Sequence, residues 1–151
     1  MPSSPFFSSS ESALSAADVI HTLKLEPFPV GGHGRETHRT DSHSVMLLLL
    51  QVGDVLPWYR YEGSQSWFWH AGGPLAVTTS PDGHDAEALH LGQHLEAGQK
   101  PHTSIELGHW VTAESLGHWT LIGWTCFPGF TSELFEQAAP DWFPKPRPPA
   151  A

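Results

Sequence analysis

A chain of 151 residues is the size of one ordinary domain and too short for two separate cores. Hydrophobic residues at 39% and charged residues at 15% exclude a highly charged disordered chain and a membrane protein. Seven Lys+Arg against 16 Asp+Glu leave a net charge of -9, too few basic groups for a surface that tracks phosphates, so no nucleic-acid partner is expected.

Residues 1–12 are rich in Ser and Pro and read as an arm; they lack a basic targeting region, and Phe6-Phe7 is their one apolar run. A helix begins at Ser15, where Ser15 and Asp18 have capping-box spacing and Val19, Ile20 and Leu23 share a face. It ends before Pro27, because the residue preceding a proline avoids the helical region. From His33 on, short strands are expected near 33–39, 44–51, 55–61, 66–70, 74–79, 87–91, 104–106, 109–113 and 119–127. Gly53-Asp54, Gly72-Gly73-Pro74, Pro81-Asp82-Gly83, Gly98 and Gly117 punctuate them. Fourteen Gly and 14 Pro fit tight turns, and this spacing argues for a sandwich or small barrel. A last helical turn is expected over Ser132–Gln137. Residues 140–151, with P-K-P-R-P-P, read as an extended tail lying on the surface, or as a ligand for a proline-recognising module. The longest apolar stretch, Val45–Leu50, is too short to span a bilayer, so a cytoplasmic protein without a membrane partner is expected.

One spacing carries more information. Gly53 is followed by Pro57-Trp58-Tyr59-Arg60-Tyr61, then Gln65, then Gly72. This frame resembles the metal-binding cupin pattern of a Gly, a His-x-His pair, a Glu and a closing Gly. Tyr59 and Tyr61 stand at its histidine positions and Gln65 at its glutamate. Glu106-Leu107-Gly108 stands at the second motif's Pro-x-Gly, with Val111 at that motif's histidine. Leu25–Arg39 (LEPFPVGGHGRETHR) resembles the entry segment of the small single-domain cupins called cupin family five. Leu47–Leu50, Gly108-His109-Trp110 and Gly123–Phe130 (GWTCFPGF) are similar to three further segments of that family. The similarity runs from about Leu23 to Phe135.

The resemblance implies an all-β, double-stranded β-helix (jelly-roll) barrel over residues 13–139, with one N-terminal helix, commonly a homodimer with a pocket in the barrel mouth. It also implies what this chain lacks. Two imidazoles and a carboxylate suit a first-row metal, whereas phenols, an amide and a valine do not. No metal and no cofactor are therefore expected. Val30 likewise replaces the family's glutamate in its P-E-G-G segment, which removes any role for that carboxylate.

Strand alternation puts Tyr59 with Tyr61, and Gln65 with Trp67 and Trp69, on inward faces by analogy with the family's ligands. These side chains, with Trp110 and Val111, would line an aromatic pocket for a small, largely apolar or planar organic molecule. The alternative for Trp67 and Trp69 is simple filling of the barrel. Arg35 or Glu36, depending on strand parity, would face the pocket and hold an anionic oxygen, unless an arginine here pairs structurally with a glutamate. His38 and His70 are the preferred acid–base candidates, because imidazole changes charge near neutral pH; a half-exposed strand histidine is the plain alternative. His33, His43, His90, His94, His109 and His118 have no recognisable ligand spacing. Cys126 reads as a buried inert thiol, and Ser64, Ser66 and Ser115 lack a hydrolase motif.

These readings converge on a metal-independent cupin enzyme for isomerisation, cyclisation, dehydration or epimerisation of a small molecule. Tyr59, Tyr61, His38, His70 and Arg35 would be catalytic, and Gln65, Trp67, Trp69, Trp110, Val111 and Glu36 would bind substrate. The alternatives are a non-catalytic binding or sensor cupin and a metal-dependent dioxygenase with atypical His ligands.

Overall fold

The computed structural model describes residues 14–147, so the arm at 1–12 and the last four residues lie outside it. The helix α1 (Ala16–Leu23) forms where its cap predicts. Asp18 N–H donates to the Ser15 hydroxyl at 3.1 Å, and Ser15 N–H donates to the Asp18 carboxylate at 3.0 Å. Those bonds, the Ser15 backbone bond first, hold the Asp18 carboxyl below its usual range. Lys24 closes the helix in the left-handed region (φ 57°). Val19, with Leu25, then packs on Leu49 and Trp119 of the sheet beneath.

Eleven strands follow: β1 (Glu26–Pro27), β2 (His33–Arg39), β3 (Ser44–Gln51), β4 (Tyr59–Tyr61), β5 (Ser64–Gly72), β6 (Leu75–Ser80), β7 (Glu87–Leu91), β8 (His102–Ile105), β9 (Trp110–Ser115), β10 (Trp119–Phe127) and β11 (Phe135–Gln137). They make two antiparallel sheets, ordered β1-β2-β3-β10-β5-β8 and β11-β4-β9-β6-β7. This is the expected all-β jelly roll. Among the described residues no helix is long and apolar enough to cross a membrane.

The elements differ from expectation at their ends. The strand expected at 55–61 shrinks to Tyr59–Tyr61, with Val55 in a lone bridge to Glu114, because Pro57 has no N–H for a ladder. The helical turn expected at 132–137 is a 3-10 turn over Ser132–Leu134. Phe135–Gln137 then pairs with β4, so the segment ends as an edge strand. Pairing β5 with β10 extends it to Gly72. A bulge sets Leu121 opposite Ala71 and Ile122 opposite Trp69, leaving His70 as the extra residue.

Between the sheets lies one continuous core. Met46, Leu48 and Leu50 of β3, Trp67 of β5, and Ile122, Trp124 and Cys126 of β10 face Tyr59, Tyr61, Leu75, Val77, Leu91, Val111 and Ala113 of the other sheet. Each is 2% exposed or less, as period-two alternation requires of an inward face. Burial pushes the Cys126 thiol up to about 12, which agrees with an inert thiol. After a turn closed by Trp142 N–H on the Ala139 carbonyl at 2.9 Å, residues 142–147 run along the outside of the five-stranded sheet. That face is marked by Arg60, Trp110 and Thr112, which alternate with the buried Tyr59, Tyr61, Val111 and Ala113.

Candidate functional site

Three of the four positions aligned with metal ligands, Tyr59, Gln65 and Val111, stand together inside the barrel. Tyr59 on β4 pairs directly with Val111 on β9, and Gln65 lies across from them on β5. The Tyr59 hydroxyl donates to the Gln65 side-chain oxygen at 2.8 Å, and the same oxygen accepts from the Trp124 indole N–H at 3.0 Å. An indole N–H only donates, so it fixes the amide with its oxygen toward Trp124 and its NH2 pointing away. Tyr61 faces a neighbouring loop: its hydroxyl donates to the Gly129 carbonyl at 2.8 Å and accepts from Thr131 N–H at 3.3 Å.

These side chains line no open pocket. Tyr59, Tyr61, Trp67 and Val111 are 0% exposed and Gln65 is 1% exposed, so a water molecule cannot touch them. The expected pocket in the barrel mouth is therefore corrected at this end: Trp67 fills the barrel, edge-on to Trp124 with ring centroids 6.3 Å apart. Burial raises the Tyr59 phenol well above its ordinary value and raises Tyr61 as well, so both hydroxyls stay protonated as hydrogen-bond donors. The donor set does not fit a first-row metal. The Gln65 oxygen is spent on two donors, both phenols are protonated, and Val111 offers only hydrocarbon. Among the described residues no three His, Cys, Asp or Glu side chains gather as a metal site. Two buried donors stay unpartnered inside, the Gln65 amide nitrogen and the Trp67 indole nitrogen.

The charged candidates lie elsewhere. Arg35, Glu36 and His38 are all exposed on β2, so neither parity turns one into the barrel. Glu36 instead forms a bidentate pair with Arg39 at 2.6 and 2.9 Å, the structural ion pair weighed as the alternative. Arg39 also donates to the Phe130 carbonyl at 2.6 Å, which ties β2 to the loop beneath Tyr61. His38 packs on His43 at 5.7 Å. Trp110 is on the outer face of β9, against Trp142, and does not line the interior.

Trp69 and His70 have a different setting, at the far end of β5. They line a cleft of about 910 Å³ with Leu14, Ser15, Gln51, Gln93, His118 and Trp119. The Trp69 indole donates to the Gly73 carbonyl at 3.0 Å and the Trp119 indole to the Leu14 carbonyl at 3.2 Å, which fixes both rings. Backbone contact shapes the wall: a Cβ on Gly73 would lie 2.6 Å from the Gly117 Cα, so the two turns touch as only glycines allow. The bulge places His70 on the outer side of β5, over Gly123, where a Cβ would meet its Nε2 at 2.6 Å. The cleft joins indole faces to imidazole and amide edges, a lining suited to a flat organic molecule with a few polar atoms.

Sequence reasoning did not single out Trp124, Gln93 or Trp119. Trp124 had a readable signal, since it alternates with Ile122 and Cys126 on the inward face of β10. Gln93 and Trp119 had none, because the cleft forms where turns distant in sequence meet.

The family described as "Cupin superfamily (DUF985)" matches residues 17–138. A crystal structure of a protein from Shewanella oneidensis is similar at 28% identity and a TM-score of 0.79, over 83% of this chain and 85% of that one. A hypothetical protein from Leishmania major is similar at 20% identity and a TM-score of 0.73, over 82% of this chain and 86% of that one. Oxalate decarboxylase from Bacillus subtilis shares the fold at 12% identity and a TM-score of 0.61, over 74% of this chain and 29% of its own. No curated protein matches the chain.

Proposed function

Since the chain belongs to the cupin superfamily, in the branch described as DUF985, we propose that it is a small-molecule-binding cupin working without the usual metal centre, its ligand seated in the Trp69–Trp119 cleft. The observation that carries this reading is the Tyr59–Gln65–Trp124 network. It closes the interior where relatives with the metal motif would place their ligands, so the open concave surface at the other end of β5 is left for binding. The ligand class is a flat, mostly apolar organic molecule that stacks on indole and meets the edges of Gln51, Gln93, His70 and His118. Pairing of two chains, which the family resemblance implies, belongs to the same proposal and is read by sedimentation velocity.

The test is native mass spectrometry of the full chain as purified, followed by titration of whatever organic molecule it carries. Trp69→Ala is expected to weaken binding at least tenfold, and Tyr59→Phe to leave it unchanged. Equal affinity in Trp69→Ala, or loss only in Tyr59→Phe, overturns the cleft as the site.

A second reading, cofactor-free isomerase, cyclase or lyase chemistry, is favoured by one observation: two imidazoles, His70 and His118, line the same cleft. It predicts turnover of the bound compound that falls in His70→Gln and His118→Gln at unchanged affinity. Binding without turnover leaves the sensor reading standing alone.

A further inference from the structure

The C-terminal segment does not merely lie on the surface. Trp142 sits between two other tryptophans, its ring 4.6 Å from Trp110 at 36° and 5.7 Å from Trp58, edge-on at 80°. The Arg60 guanidinium stacks on Trp110 with its carbon 4.7 Å from the ring centroid, and Glu136 holds that arginine at 2.9 Å. Further along, Lys145 N–H donates to the Gly83 carbonyl at 3.0 Å, and the Lys145 carbonyl meets His84 Nδ1 at 2.9 Å. Arg147 donates to Asp85 at 2.9 Å and to Asp82 as well. The receiving surface thus has three parts: a tryptophan slot, a backbone edge at the Pro81–His84 turn, and a pair of carboxylates. They are spaced for an aromatic residue, a proline-rich extended stretch and an arginine in that order, as W-F-P-K-P-R supplies.

An extended, proline-containing stretch of low conformational entropy here joins a tryptophan seated in an aromatic slot to an arginine that meets acids, the kinds of anchor that proline-rich peptide recognition uses. We propose that Trp58, Trp110, Asp82 and Asp85 form a recognition site for proline-rich protein segments carrying a leading aromatic and a trailing arginine, and that residues 142–147 are its resident intrachain occupant. The ion pair at the arginine end of the occupant is exposed: Arg147 is 60% exposed and Asp85 is 68% exposed. Such ion pairs hold weakly, so the occupant exchanges with a competing segment. A partner binds by displacing the tail, and the tail sets the concentration a competitor must reach. This site lies on the five-stranded sheet and does not depend on the ligand cleft.

The experiment keeps the full chain. A labelled peptide of residues 140–147 is titrated against the wild type, the Trp142→Ala/Arg147→Glu double variant, and that variant carrying Asp82→Asn and Asp85→Asn in addition. The double variant, its own tail disabled, is expected to bind the peptide at least tenfold more tightly than the wild type, and the two added asparagines to weaken that binding about threefold. Arg147→Glu alone repeats the comparison without touching the tryptophan stack, and the thermal unfolding midpoint shows that each variant is folded. Folded variants that bind the peptide no better than the wild type overturn the proposal. So does peptide binding that the asparagine pair leaves unchanged, because the peptide would then sit elsewhere.

Discussion

The two ends of strand β5 reach opposite results. At its start, Gln65 and Trp67 point inward and meet Tyr59 and Trp124, and the space closes to the exclusion of water. At its end, around the bulge at His70, Trp69 and His70 border the Gly72-Gly73 and Gly117 turns, and a cleft of about 910 Å³ stays open. Inward alternation therefore decides which side chains meet. Whether they enclose a cavity depends on the opposing element, a strand carrying a ring in one case and glycine turns in the other.

The largest test of the closed end is Trp124→Ala, which removes the ring touched by Tyr59, Trp67, Phe28 and Phe130. A loss of about 3–5 kcal/mol is expected in urea unfolding. Gln65→Leu should cost about 2 kcal/mol by the same measurement, since it strands the Tyr59 hydroxyl and the Trp124 N–H while removing one unpartnered amide. Adding Tyr59→Phe to that variant should recover part of the loss, because the stranded hydroxyl disappears; a further loss would separate Tyr59 from the network. At the open end His70→Ala should move stability by less than about 0.5 kcal/mol, because the imidazole is exposed there. A large drop would mean that the cleft is as tightly built as the interior.

The smallest effect concerns acid. The backbone N–H of His84, first, then that of Asp85 and the charge of the Arg147 guanidinium hold the Asp82 carboxyl below its ordinary range. A carboxyl lowered in the folded state adds stability above its unfolded value, near 3.9, and loses it as pH falls through the lowered one. The tail should thus stay docked at neutral pH and loosen only in strong acid, read as a change in tryptophan fluorescence that Asp82→Asn abolishes. Asp85, His84 and Lys145 face the same turn.

Much of the fold was legible. Glycine turns and period-two apolar runs marked β2, β3, β7 and β10 to the residue, and Ser15 with Asp18 marked the helix start. Short edge elements were not: β11 has three residues, exposed Glu136 and Gln137 among them, and no local signal separates it from a turn. At the site, Tyr59 and Gln65 of the Gly53–Gly72 frame stand beside Val111 of the second motif. Packing density is a property of volumes, not of spacing, so the sequence did not reveal that these residues leave no room. Trp110 was misplaced for a related reason. Parity assigned Val111 inward, which sends its neighbour Trp110 outward to meet a tail more than thirty positions away.

The bulge at His70 has a mechanical consequence for the open end. By inserting one unpaired residue, it lets β5 hand its outward side over a step early, so that Ala71 packs beneath helix α1 while Trp69 keeps its place against the barrel. Deleting His70 would restore even pairing and keep Trp69 inward and Ala71 outward, so what it would remove is the imidazole over Gly123 and the local bend of the strand. A single irregular step thus acts as the clutch between a rigid barrel and the hollow at its end.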